Sequence, residues 1–171
     1  VYPEKFIPDF KKRDLTLWAS AYHLESRYKA IENLLKELPQ GNILELSSGY
    51  SFRSLEHARK QGIYYIDTDL PDIIAHKTEI VKSLVKNLPT VEGSLEMRPL
   101  NALDEWSFRE IIGHFPEGGI VIINEGLFTY LKRSEQKTLS SLIHGILKER
   151  GGFWINADVY LKNKQPQMGF H

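Results

Sequence analysis

Apolar positions along the chain alternate between helical and strand-like spacing. Over residues 14 to 38, Leu24, Tyr28, Ile31, Leu34, Leu35 and Leu38 recur at steps of three and four, which predicts a helix closed by Pro39-Gln40-Gly41. Residues 42 to 47 form a short apolar run that reads as a buried strand, followed by a small-residue turn through Ser51 and a helix over residues 52 to 61. Gly62 resets the backbone for a second strand over 63 to 67, rich in β-branched and aromatic residues. Beyond Pro71, Ile73, Ile74, Ile80, Val81, Leu84, Val85 and Leu88 mark a helix that Pro89 terminates. A weaker strand over 94 to 100 and a helix over 105 to 115 come next. The turn Pro116-Glu-Gly-Gly then leads into a strand over 120 to 124. Ser134 caps a helix running to about residue 150, and Gly151-Gly152 opens a strand over 153 to 157.

Strand followed by helix, repeated about five times, calls for a doubly wound, mostly parallel α/β sheet with helices on both faces. The run Ile120-Val-Ile-Ile fits a central strand covered on both sides. Residues 1 to 41 read as an N-terminal helical cap region and 42 to 171 as the cofactor-binding α/β domain. A closed fold of this type needs at least one more helix and strand after Asp158, whereas Lys162-Asn-Lys-Gln-Pro-Gln reads as an exposed loop. The expectation is that C-terminal structure lies outside this sequence.

Composition narrows the function. The chain has 171 residues, 42% hydrophobic and 11% aromatic, enough for a globular core. Lys+Arg and Asp+Glu both number 22, so no net electrostatic pull toward nucleic acid or anionic membrane is expected, which leaves a small molecule or a protein as partner. The absence of cysteine excludes disulfide scaffolds, thiolate zinc sites and cysteine nucleophiles, and fits a cytoplasmic location. No apolar run reaches the ~18 residues of a membrane span, and no signal-peptide core is present, although residue 1 is not Met and a trimmed leader stays open. None of the six histidines sits in a metal-binding or catalytic spacing, and each reads as a solvated surface residue.

The chemistry concentrates in two segments. In Asn42-Ile-Leu-Glu-Leu-Ser-Ser-Gly-Tyr-Ser, a buried strand meets a turn whose small residues let the backbone approach a ligand. In Tyr65-Ile-Asp-Thr-Asp-Leu-Pro, a second strand ends in carboxylates, the outer one 20 residues past Gly49, where an acid can accept hydrogen bonds from a ribose diol. Together they point to an adenosine-containing cofactor. A nicotinamide-dependent oxidoreductase would share this layout, but Leu46-Ser-Ser-Gly-Tyr-Ser-Phe lacks the Gly-x-Gly-x-x-Gly needed to seat a pyrophosphate.

Three blocks resemble class I S-adenosylmethionine-dependent methyltransferases, specifically the leucine carboxyl methyltransferase family and its bacterial O-methyltransferase relatives. These are Ile43-Leu-Glu-Leu-Ser-Ser-Gly-Tyr-Ser, Ile66-Asp-Thr-Asp-Leu-Pro-Asp-Ile-Ile-Ala-His-Lys and Asn124-Glu-Gly-Leu-Phe-Thr-Tyr-Leu. The resemblance spans about residues 14 to 158 and implies S-adenosylmethionine as cofactor. It assigns Arg27 to the methionine carboxylate, Glu45, Ser47 and Gly49 to the turn passing the cofactor, and Asp69 to the ribose, with Asp67 as a competing choice. Asn101 and Ala102 stand where the family contacts adenine, with Asp104 as rival. Glu125 takes the methionine ammonium, and Tyr130 edges the substrate pocket unless it is half-buried packing. Ser47 replaces a usual glycine, and because serine disfavours positive φ, a reshaped turn and weaker affinity are expected.

A sulfonium makes its methyl group electrophilic, so the implied site mainly holds a nucleophile in line and excludes water. A carboxylate acceptor, ionised at neutral pH, needs no general base, and no catalytic residue is assigned. A phenol or alcohol would need help with its proton. The alternative from another class is a cofactor-binding or scaffold protein that has lost catalysis, suggested by Ser47 and Asn101. The sequence gives no oligomeric state.

Overall fold

The computed structural model describes residues 15–39, 41–86 and 92–158. The chain divides into two compact units, residues 1–38 and 39–171. The first contains helix α1, Leu15–Glu37, on which Lys29 pairs with Glu25 one turn back at 2.6 Å.

The second unit contains the sheet. Its elements run β1 (Asn42–Leu46), α2 (Arg53–His57), β2 (Tyr64–Asp69), α3 (Pro71–Val85), β3 (Ser94–Pro99), α4 (Glu105–Gly113) and β4 (Ile120–Asn124). A 3-10 turn (Phe128–Tyr130), α5 (Arg133–Arg150) and β5 (Gly152–Asn156) follow. All four strand pairings are parallel, in the order β3-β2-β1-β4-β5. The fold is therefore a doubly wound α/β sheet. The chain moves outward from β1 to β3 on one side and from β4 to β5 on the other, so the order reverses between β1 and β4, where such sheets open a ligand crevice.

Strand alternation divides the sheet into two unlike faces. Leu44, Leu46, Ile66, Ile120 and Ile122 pack with Phe108, Ile111 and Ile112 of α4 and with Leu139, Leu142, Ile143 and Ile146 of α5 into one apolar core. Each such side chain contributes about 1.5–3 kcal/mol by leaving water. The intervening positions on β1 and β2 include Glu45 and Asp67, both buried, and they are met by Arg53 of α2 and Lys77 of α3. A face carrying buried acids requires cations from the covering helices, because an unpaired charge cannot stay ionised there.

Several boundaries differ from the sequence reading for tertiary reasons. Helix α2 stops at His57 rather than residue 61, because the Ala58 carbonyl accepts the Gly93 amide and the His57 carbonyl closes a tighter turn to Lys60. Strand β2 continues to Asp69 rather than stopping at Asp67, since β3 pairs with it as far as Asp69 opposite Pro99. Helix α5 begins at Arg133, with the Glu135 carboxylate accepting the Lys132 backbone amide at 2.7 Å, so Ser134 is inside it. Gly152, at φ 117°, sits where an added Cβ would run into the Ile120 backbone. The expected helix end at Leu88-Pro89 and the loop from Lys162 lie outside the described residues.

Candidate functional site

The turn after β1 is built on two left-handed positions with one residue between them, Ser47 at φ 48° and Gly49 at φ 49°. The serine adopts a left-handed conformation that favours glycine, and the strain is carried by Ser47. Two contacts hold it: Ser48 N–H donates to the Thr68 carbonyl at 2.9 Å, and Gly49 N–H donates to Asp69 Oδ2 at 2.7 Å. The other oxygen of Asp69 accepts the Leu70 amide at 2.7 Å. Asp69 is thus oriented at the tip of β2 by backbone donors from both sides, 8% exposed, and each carboxylate oxygen keeps a further lone pair.

Beneath this rim lies a charged layer. Glu45 accepts Arg53 Nη1 on one oxygen at 2.5 Å and Tyr65 Oη on the other at 2.5 Å. Arg53 Nη2 also donates to Glu125 Oε2 at 3.1 Å. In register with Glu45, Asp67 pairs with Lys77 Nζ at 3.0 Å and accepts Ser54 Oγ at 2.5 Å, while Lys77 also donates to Ser48 Oγ at 2.9 Å. Lys77 therefore ties α3 to the turn itself.

Burial, reinforced by the neighbouring Asp67, pushes the Glu45 carboxyl up to about 7 against the opposing pull of Arg53 and Tyr65. Burial likewise raises Asp67, outweighing Lys77 and Ser54. Arg53 loses hydration too, but Glu45 above all, then Tyr65 and Glu125, hold it more firmly charged than a free arginine. The Tyr65 phenol is pushed up by burial and then by the two carboxylates, so it stays a donor. The variable proton of this layer thus resides on the acids.

The structure brings Ser47, Gly49 and Asp69 together at the carboxyl ends of β1 and β2, with Glu125 following β4 and linked to β1 through Arg53. Glu45 lies below the rim with both oxygens engaged. Asp67 is wholly buried, and its Oδ1 has no hydrogen-bond partner among the described residues. Asn101 follows β3, close in chain to Leu100, whose amide bonds the Asp69 carbonyl at 2.8 Å, and its own Oδ1 accepts the Leu103 amide at 3.1 Å. Ala102 is buried in the core. Asp104 caps α4, accepting Ser107 Oγ at 2.8 Å and the Trp106 amide at 3.1 Å. Tyr130 is 86% exposed rather than half-buried. Arg27 is half-buried on α1, in the first unit.

Sequence reasoning assigned no role to Arg53, Tyr65, Lys77 or Asp158. The last accepts the Gly126 amide at 2.5 Å, the Phe128 amide at 3.0 Å and Asn124 Nδ2 at 3.0 Å, organising the loop behind Glu125. A signal for Arg53 and Lys77 existed: an acid inside each of two apolar strands demands a buried cation, and both lie on the helices that follow. Among the described residues no group of three or more His, Asp or Glu is placed to hold a metal ion, and no helix is long and apolar enough to cross a membrane. A cavity of about 860 Å³ lies between α3 and β3, lined by Val81, Val85, Leu95 and Met97 among others, and includes none of the candidate residues.

The Rossmann-like fold is shared with proteins of known structure, a methyltransferase among them. Magnesium protoporphyrin IX methyltransferase from Synechocystis PCC 6803, solved with bound S-adenosylmethionine, superposes with a TM-score of 0.51 at 8% identity over 84% of this chain and 61% of that one. The PH0226 protein from Pyrococcus horikoshii OT3 gives 0.52 at 20% identity, covering 76% and 56%. In sequence, the chain is 25% identical over 146 residues to leucine carboxyl methyltransferase 1 of Kluyveromyces lactis, covering 74% of this chain and 43% of the yeast protein. The chain spans less than half the length of that relative, and no family model matches it.

Proposed function

We propose that the chain forms the cofactor-binding part of an S-adenosylmethionine-dependent methyltransferase that acts on an oxygen nucleophile, a carboxylate or hydroxyl of a small molecule or a protein C-terminus. The observation that carries this reading is the Asp69 carboxylate fixed at the tip of β2 by the Gly49 amide of the neighbouring turn. Acceptors held in that way at the carboxyl edge of β2, beside β1, suit a vicinal diol. The name of the yeast relative and the methyltransferases sharing the fold support the same reading.

In this reading Asp69 accepts the ribose hydroxyls, and the Ser47–Gly49 turn lets the cofactor pass close to the backbone. Glu45 supports that turn from below. Asn101 supplies an acceptor for the adenine amino group and Ala102 an apolar wall and an amide. Glu125 takes the ammonium, Arg27 takes the carboxylate of the amino-acid end, and Tyr130 edges the acceptor pocket. The bound sulfonium supplies an electrophilic methyl group. The protein's part is to orient cofactor and acceptor and to exclude water.

Titration calorimetry with S-adenosylmethionine and S-adenosylhomocysteine tests it. Micromolar binding that Asp69→Ala or Glu125→Ala abolishes is the expected result. No binding, or binding of NAD instead, overturns it. Transfer of a tritiated methyl group to a panel of acids, phenols and protein C-termini then identifies the acceptor. Cofactor binding without transfer to any of them would favour a binding protein, a reading to which the strained Ser47 lends its one structural argument.

A further inference from the structure

Arg53 joins strand β1 to the loop after β4, where its partner Glu125 lies 72 residues further along the chain than Arg53 itself. Its guanidinium is fully buried, donating through Nη1 to Glu45 at 2.5 Å and through Nη2 to Glu125 at 3.1 Å. Glu45 cannot yield, because its other oxygen is held by Tyr65 at 2.5 Å. The arginine therefore has a fixed lower anchor and presents a second donor upward in a rigid fork. Glu125 is the exposed member of the three, with 17% of its side chain open to solvent.

Charge follows the same direction. One cation between two carboxylates leaves the trio with a surplus negative charge when both acids are ionised, and only the Glu125 end reaches solvent. A buried cation that merely neutralised Glu45 would not need to reach the rim.

We propose that Arg53 is a positioning residue for the amino-acid end of the cofactor: from below the rim it fixes Glu125 in the orientation that receives the ammonium, without touching the ligand. This rests on the function proposed above. Lysine cannot replace it, since a single ammonium point charge does not span two carboxylates in a fixed plane.

The test compares two ligands by calorimetry: S-adenosylhomocysteine, and 5′-methylthioadenosine, which keeps the adenosine but has no amino-acid end. Arg53→Lys is expected to weaken S-adenosylhomocysteine about tenfold, the value of one well-made hydrogen bond to a charged group, and to leave 5′-methylthioadenosine unchanged. Glu125→Gln shows the same selective loss, and the double variant binds no more weakly than Glu125→Gln alone. Equal weakening of both ligands by Arg53→Lys, or losses that multiply in the double variant, overturn the inference. If thermal denaturation shows that Arg53→Lys does not fold, Tyr65→Phe carries the test: it removes the hydroxyl that holds the second Glu45 oxygen and so loosens the lower anchor of Arg53. The ammonium-bearing ligand alone should then weaken, and a loss shared by both ligands, or none, refutes the proposal. Failure of the unaltered protein to bind either ligand overturns the proposed function and this inference together, a result distinct from all of these.

Discussion

Glu45 and Asp67 stand opposite each other in register on adjacent parallel strands, both side chains buried. Two acids in that position hold their protons more tightly than in water, because burial and mutual repulsion both disfavour the charged forms. The Glu45 carboxyl, ordinarily near 4.5, is pushed up to about 7 in the folded protein. The folded state therefore binds a proton that the unfolded chain releases, and stability falls as pH rises from about 4.5 through 7. Asp67, raised by its own burial, acts in the same sense. Thermal melting across this range should show a declining midpoint, and Glu45→Gln should flatten the decline; a midpoint that rises with pH would contradict the assignment.

Lys77 should be among the residues least tolerant of truncation in the second unit. Its ammonium is fully buried against Asp67 and Ser48, so Lys77→Met leaves an acid without its cation. The expected loss is about 3–5 kcal/mol in urea denaturation, with partial recovery in the Lys77→Met, Asp67→Asn double variant. Additive losses would mean that the two side chains do not act as a pair.

Ser47 offers the opposite outcome. A non-glycine residue at φ 48° carries about 1 kcal/mol of strain, so Ser47→Gly should stabilise the protein by about 0.5 kcal/mol after the greater freedom of the unfolded glycine is deducted. Ser47→Val, β-branched at the same φ, should lower the melting midpoint. A melting midpoint unaltered by both substitutions would mean that the left-handed turn is not populated in solution.

Asp158 is expected to govern the loop behind Glu125. Asp158→Ala removes the acceptor for the Gly126 and Phe128 amides and for the Asn124 side chain, at a loss of about 2–3 kcal/mol. Hydrogen exchange should quicken at Gly126 and Phe128 while the amides of β1 stay protected. Unchanged exchange at those two positions would remove Asp158 from this role.

The sequence exposed the elements whose pattern is local. The Ile120 strand was legible in full because a covered parallel strand is a continuous apolar run, and α1 was legible within a residue at each end because its apolar stripe repeats at helical spacing. The second strand was read two residues short, since Thr68 and Asp69 carry no strand signal of their own and are extended by pairing with β3. Helix α2 was read too long, because Gly93, remote in sequence, takes the carbonyl of Ala58.

The site divides the same way. Periodicity and the spacing of Gly49 and Asp69 determined that a turn and an acid would meet at the ends of neighbouring strands, because strand, turn, helix and strand are contiguous in the chain. Only the tertiary structure decided which acid reaches the rim. Asp67 and Asp69 lie on the same face of one strand and look alike in sequence, but Lys77 and Ser54 enclose the first while the Gly49 amide meets the second. Arg53 between Glu45 and Glu125 belongs wholly to tertiary structure as well. The partner of a buried charge is chosen by whichever helix covers it, and distance along the chain carries no record of that choice.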